Sequence, residues 1–151
     1  MKHLTHYQCT HFRIEELVPQ RLFLENRHRP AMLWGLFNPY LLWTADAIRD
    51  HYKCSMVCND WLWGGRFQGR GYRPPDYATG AHHSTHRRGC GLDLWPDAAV
   101  THGVAIRDDI IANPDLEPFQ YITTVETNVR HLHFDLRNHD RKTHGILVVH
   151  P

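Results

Sequence analysis

The chain has 151 residues, which reads as one domain over 1–151, and at this size roughly 70% of the surface of the unfolded chain is buried on folding. Its formal charge of +1 leaves no global field to attract nucleic acid or a membrane surface. There is no run of about 18 apolar residues to span a membrane, and Met1 to His6 lack the apolar region of a signal peptide.

Along the chain, residues 13 to 18 predict a short helical turn, with Glu15 and Glu16 near its positive end and Pro19 closing it. Leu41 to Tyr52 predicts the main helix: Leu41, Leu42, Ala45 and Ile48 recur at helical spacing, Pro39 stands ahead, and Asp46 falls on the solvent face. Lys53 to Asp60 alternates like a strand. Its cysteines, Cys54 and Cys58, therefore read as buried side chains rather than a metal knuckle, and together with Cys9 and Cys90 as reduced thiols. Gly64 to His83 is rich in glycine and proline, and so long a loop within one domain is normally functional. Leu92 to Leu94 predicts a short strand, and Asp108 to Ala112 the end of a helix. Gln120 to Glu126 and Val129 to Leu136 predict two strands joined at Thr127-Asn128, with a last strand over Gly145 to Val149. Helices and strands in separate runs predict an α+β fold, a small antiparallel sheet with flanking helices.

Chemistry concentrates in two segments. Ser84-Thr85-His86-Arg87-Arg88-Gly89-Cys90-Gly91-Leu92-Asp93 places a histidine and a carboxylate seven residues apart, and His131-Leu132-His133-Phe134-Asp135 adds imidazoles forty residues later. With fourteen histidines in the chain, any one of them is more often surface or core than ligand. The grouping carries the signal: two imidazoles and a carboxylate, with a fourth position open to water, form the donor set of a catalytic zinc site, whereas structural sites are closed and cysteine-rich. In an extended segment His131, His133 and Asp135 share one face. Asp135 is then either the partner that orients His133 through its free ring nitrogen or a surface acid paired with Arg137. His82 and His83 stand three and four residues before His86, but Gly80 and Gly89 argue against a helix that would align them. Ser84 either contacts substrate or caps a turn.

The pattern S-x-H-x-x-G-x-x-x-D followed by H-F-D resembles the zinc D-Ala-D-Ala carboxypeptidases and dipeptidases, a group that includes phage L-alanyl-D-glutamate endopeptidases and shares its fold with the hedgehog signalling domain. The resemblance extends to His11-Phe12-Arg13-Ile14-Glu15-Glu16-Leu17 and to Gly64-Gly65 and Gly71-Tyr72-Arg73-Pro74, so that it runs from about residue 11 to 137 in order. It implies a hedgehog/DD-peptidase-like fold and a Zn2+ ion held by His86, Asp93 and His133. It also implies that Arg73 holds the scissile carbonyl oxygen or a substrate carboxylate, as a permanently charged fork of donors can. The general base departs from the pattern. Many relatives carry an acid three residues before the last histidine, where this chain has Arg130, and Glu126 and His131 remain as the alternatives.

The resemblance thus implies a zinc peptidase cleaving peptidoglycan stem peptides, a bacteriophage endolysin or virion-associated lysin. Such a protein would be made in the bacterial cytoplasm and act on the cell wall after lysis or release, or reside in the virion. The alternative is an inactive peptidase-like component of a virion or tail, with phage virion proteins as partners and tryptophans as interface anchors. Nucleic acid is not an expected partner, because no basic stripe is present; Arg87-Arg88 and Arg137 to Lys142 read as solvated faces.

Overall fold

A computed structural model describes residues 3–151. Three helices precede the sheet: α1 (Gln20–Asn26), α2 (Pro30–Trp34) and α3 (Pro39–Tyr52). Helix α3 starts where the Asn38 side chain accepts a hydrogen bond from the Tyr40 N–H at 2.9 Å, with Pro39 in the first turn, where its missing N–H costs nothing. Leu41, Leu42, Ala45 and Ile48 are fully buried along one stripe, and Lys53 ends the helix in the left-handed region at φ 50°. The expected turn near residues 13–18 is a 3-10 turn over Ile14–Glu16, and α1 and α2 were not predicted because neither carries a clear apolar period.

Asp46 corrects the reading of α3. It is 3% exposed, because the segment from Tyr7 to His11 crosses over the helix and covers it.

The sheet contains β1 (Met56–Val57), β2 (Gly91–Pro96), β3 (Thr124–Glu126), β4 (Leu132–Asp135) and β5 (Leu147–Val149), in the order β1-β2-β4-β3-β5. The expected strand over Lys53 to Asp60 shrinks to two residues, but Cys54 and Cys58 are buried as read, and all four cysteines are free thiols. The α+β class holds, whereas the small antiparallel sheet does not: the sheet is mixed, since β5 runs parallel to β3. After β4 the chain reverses through α5 (Arg141–His144). Because β3 is already antiparallel to β4, the returning strand lies beside β3 in the same direction.

Alternation along the two central strands divides the molecule into an apolar and a polar side. Leu92 and Leu94 of β2 and Leu132 and Phe134 of β4 are fully buried in the core, against which α4 (Gly103–Ala112) packs through Ile106 and Ile110. The intervening residues, Asp93 on β2 and His133 and Asp135 on β4, project from the opposite face. Residues 64–84, between these layers and the 3-10 turn that follows, contain neither helix nor strand, as the glycine and proline content predicted.

Candidate metal centre

Asp93 and His133 are direct partners across the β2–β4 ladder, so an antiparallel pair alone places a carboxylate beside an imidazole. His86 arrives from the 3-10 turn Thr85–Arg88. That turn begins where Ser84 Oγ accepts the His86 N–H at 3.3 Å, and ends at Gly89 with φ 64°. Glycine is required there twice over, since φ is positive and a Cβ would run into the Leu36 carbonyl. The Arg73 N–H on the His86 carbonyl (3.2 Å) and the Asp93 N–H on the Arg70 carbonyl (2.9 Å) bind the long loop to the same frame.

The coordinating atoms of His86, Asp93 and His133 all lie within 4.8 Å of one another, and all three residues are buried. His86 Nε2 is 3.4 Å from Asp93 Oδ2, and His133 Nδ1 is 2.7 Å from Asp93 Oδ1. Donors about 2.0–2.1 Å from a tetrahedral ion sit about 3.4 Å apart, so the first spacing already fits and the second needs only to open slightly. The outer nitrogens are fixed as a metal site requires. His86 Nδ1 lies 2.8 Å from the Gly71 carbonyl, which can only accept, so Nδ1 carries the proton and Nε2 faces inward with a lone pair. His133 Nε2 faces Asp135 Oδ2 at 3.1 Å, which leaves Nδ1 for an ion.

Asp135 contacts both His133 and Arg137, but it is fully buried rather than the surface acid that the second alternative expected. It orients His133, and it is itself gripped by Arg137, whose Nε stands 2.9 and 3.1 Å from its two oxygens and whose Nη2 stands 2.5 Å from Oδ2. Burial opposes the charge on Asp135, but hydrogen bonds from Arg137 and His133 outweigh it and hold the carboxyl at about 2. Burial likewise opposes charge on Asp93, and the three imidazoles of His131, His133 and His86 hold it well below the usual carboxylate range. For His133, burial lowers basicity while Asp135 and Asp93 raise it further, to about 9 without metal. A proton and a metal ion thus compete for the same Nδ1 lone pair. The donor set of two oriented imidazoles and one ionised carboxylate could hold a metal ion.

The remaining predicted residues line the same cleft, of about 700 Å³. His131 Nε2 is 3.5 Å from Asp93 Oδ1, and its ring packs on Trp95 with centroids 5.6 Å apart. Arg73 Nη2 is 3.8 Å from Asp93 Oδ2, with Nε donating to the Gly69 carbonyl at 2.5 Å. Glu126 Oε1 is 3.9 Å from His133 Nε2, carried there because β3 sets Val125 opposite Phe134 and turns the next residue toward the polar face. His82 and His83 are exposed and do not join the ligand group among the described residues, although His83 lines the cleft. Sequence reasoning missed the Gly71 carbonyl, the contribution of Val129 and the folding of the loop by Arg87. Arg87 donates to the carbonyls of Pro74 (3.3 Å), Pro75, Tyr77 (2.9 Å) and Gly80 (3.5 Å). Backbone acceptors leave no trace in side-chain patterns.

No family model matches the chain, and no curated protein or solved structure is significantly similar to it. Among the described residues no helix is long and apolar enough to cross a membrane.

Proposed function

We propose that this chain is a zinc peptidase of the D-Ala-D-Ala carboxypeptidase and L-alanyl-D-glutamate endopeptidase group, cleaving peptidoglycan stem peptides for a bacteriophage. One observation carries the reading: His86 Nε2, Asp93 and His133 Nδ1 converge at the floor of an open cleft that also presents an acid and an arginine. Bound there, zinc would polarise the scissile carbonyl and make water nucleophilic near neutral pH. The side chains supply the rest. Glu126, which lines the cleft and lies 3.9 Å from the outer nitrogen of His133, would take the proton of the attacking water and return it to the leaving amine. Arg73, 3.8 Å from Asp93, would hold the carbonyl oxygen as negative charge develops on it. Asp135, locked by Arg137, keeps His133 in the tautomer that binds metal. His131 is the alternative proton acceptor, nearer to Asp93 than Glu126 is to His133.

A second reading, an inactive peptidase-like part of a virion or tail, is favoured by Arg130, which occupies the usual position of the base, and by Trp63, 60% exposed and free to anchor a partner. Zymography on purified cell wall separates the two. The peptidase clears the wall and loses that activity to a chelator. Zinc-loaded protein that clears nothing would leave only the structural reading.

A further inference from the structure

The charges that line the cleft do not balance. Arg137 is committed to Asp135, and the two cancel. Asp93 and Glu126 would together offset one divalent ion held at the His86, Asp93 and His133 group. Two guanidinium groups remain, those of Arg73 and Arg88. Arg73 faces Asp93 at the floor, with its Nε already on the Gly69 carbonyl. Arg88 is exposed at the rim and, among the described residues, makes no hydrogen bond and no ion pair, whereas the adjacent Arg87 is bonded to four carbonyls. Nor is Arg88 on a loose segment. It is the last residue of the 3-10 turn that carries His86, and the next residue, Gly89, is packed on Leu36 and accepts the Asn38 N–H at 2.8 Å. The backbone therefore fixes the point beside His86 from which an unpaired, solvent-exposed guanidinium extends along the lining of the cleft.

We propose that Arg88 is a specificity-determining residue whose guanidinium binds a free carboxylate of the substrate flanking the scissile amide. This rests on the peptidase reading, and it narrows the substrate to peptides with an acidic group beside the cleaved bond. Guanidinium suits that group, because its planar donors match two carboxylate oxygens at once. Stem peptides offer two such carboxylates, the chain-terminal one and the α-carboxylate of a γ-linked D-glutamate. Which of them Arg88 reads determines whether the cut falls at a chain end or within the peptide.

The test is calorimetric binding of three probes to zinc-loaded protein carrying whichever of Glu126→Gln or His131→Ala suppresses hydrolysis, or to the wild type if it cleaves none of them. The probes are L-Ala-γ-D-Glu-L-Lys-D-Ala, its C-terminal amide, and the form amidated at the D-glutamate α-carboxylate. One of the two amides should bind about 10- to 100-fold more weakly than the free acid, the range for a hydrogen-bonded charge. Adding Arg88→Gln should abolish that preference by weakening the free acid alone, and Arg88→Lys should keep part of it. Equal binding of all three probes, binding of none, or an equal loss for all three with Arg88→Gln would overturn the inference. Preference for the free acid in a wild-type protein that cleaves no wall peptide would instead remove the peptidase reading and leave the carboxylate site standing.

Discussion

Asp46 and Asp93 are both buried carboxylates, and their surroundings have opposite chemistry. Asp46, on α3, is enclosed by groups that only donate to it: Tyr7 Oη at 2.9 Å and the N–H groups of Thr10 and His11 at 2.6 and 3.0 Å. Every bond of that set ties the N-terminal segment to the helix, and His51, which lines the adjacent hollow of about 340 Å³, is, among the described residues, no hydrogen-bond partner of Asp46. Asp93 faces three imidazole nitrogens, at 2.7, 3.4 and 3.5 Å, and among the described residues no backbone N–H bonds its side chain. Its neighbours can give up a proton and turn a lone pair inward. The difference teaches that burial alone does not mark a functional acid. What marks it is a set of partners whose outer atoms are fixed and whose inner atoms can exchange hydrogen bonds for metal bonds.

The comparison can be broken most forcefully through Glu126, on the Asp93 side. Glu126→Gln should reduce wall-peptide hydrolysis by at least ~100-fold, within the ~10²–10⁴-fold range of a general base, while zinc content and melting temperature stay at wild-type values. If that variant stays active and His131→Ala does not, the base is the histidine.

On the other side, Asp46→Ala should do the reverse. It strands three donors under the N-terminal segment, which costs about 2–4 kcal/mol and lowers the melting temperature by roughly 5–15 °C, with zinc binding unchanged. A zinc deficit in this variant would show that the two regions are not independent.

Asp135→Asn sharpens the contrast within the metal side. Loss of the charge that orients His133 should weaken zinc binding about 10- to 100-fold in a competition titration, without abolishing it. Removing the metal by chelation should lower the melting temperature by several degrees and leave the circular dichroism at room temperature native, because the apolar core under the sheet is complete without it. Complete unfolding on chelation would contradict this.

The smallest effect concerns pH. Burial, and then the hydrogen bond to and charge of Asp46, push Tyr7 up to about 12. A raised acid stabilises the fold fully below its ordinary value of 10 and loses that contribution as pH rises through about 12. Tyr7→Phe should therefore flatten the alkaline limb of stability between those values, and an unchanged limb would detach Tyr7 from Asp46.

The grouping of the candidate ligands was legible in the sequence because short-range pattern encodes it: a glycine-closed turn holding His86, then alternating residues on β2 and β4 that put Asp93 and His133 on one face. Helix α3 was legible through its apolar period, apart from Asp46, since amphipathic reasoning cannot see a distant segment folding across a polar face. The parallel β5 was hidden for a similar reason. Strand direction depends on where the chain returns after α5, and three residues of Leu147–Val149 carry no record of it. The Gly71 carbonyl that orients His86 was out of reach because every residue has one.

Zinc stoichiometry, measured by elemental analysis after dialysis, tests the account most directly when wild type, Asp93→Asn and Asp46→Asn are compared. About one zinc per chain is expected in wild type and in Asp46→Asn, and none in an Asp93→Asn protein whose circular dichroism remains native. Wild-type zinc content in Asp93→Asn, or no zinc in the wild type, would contradict it.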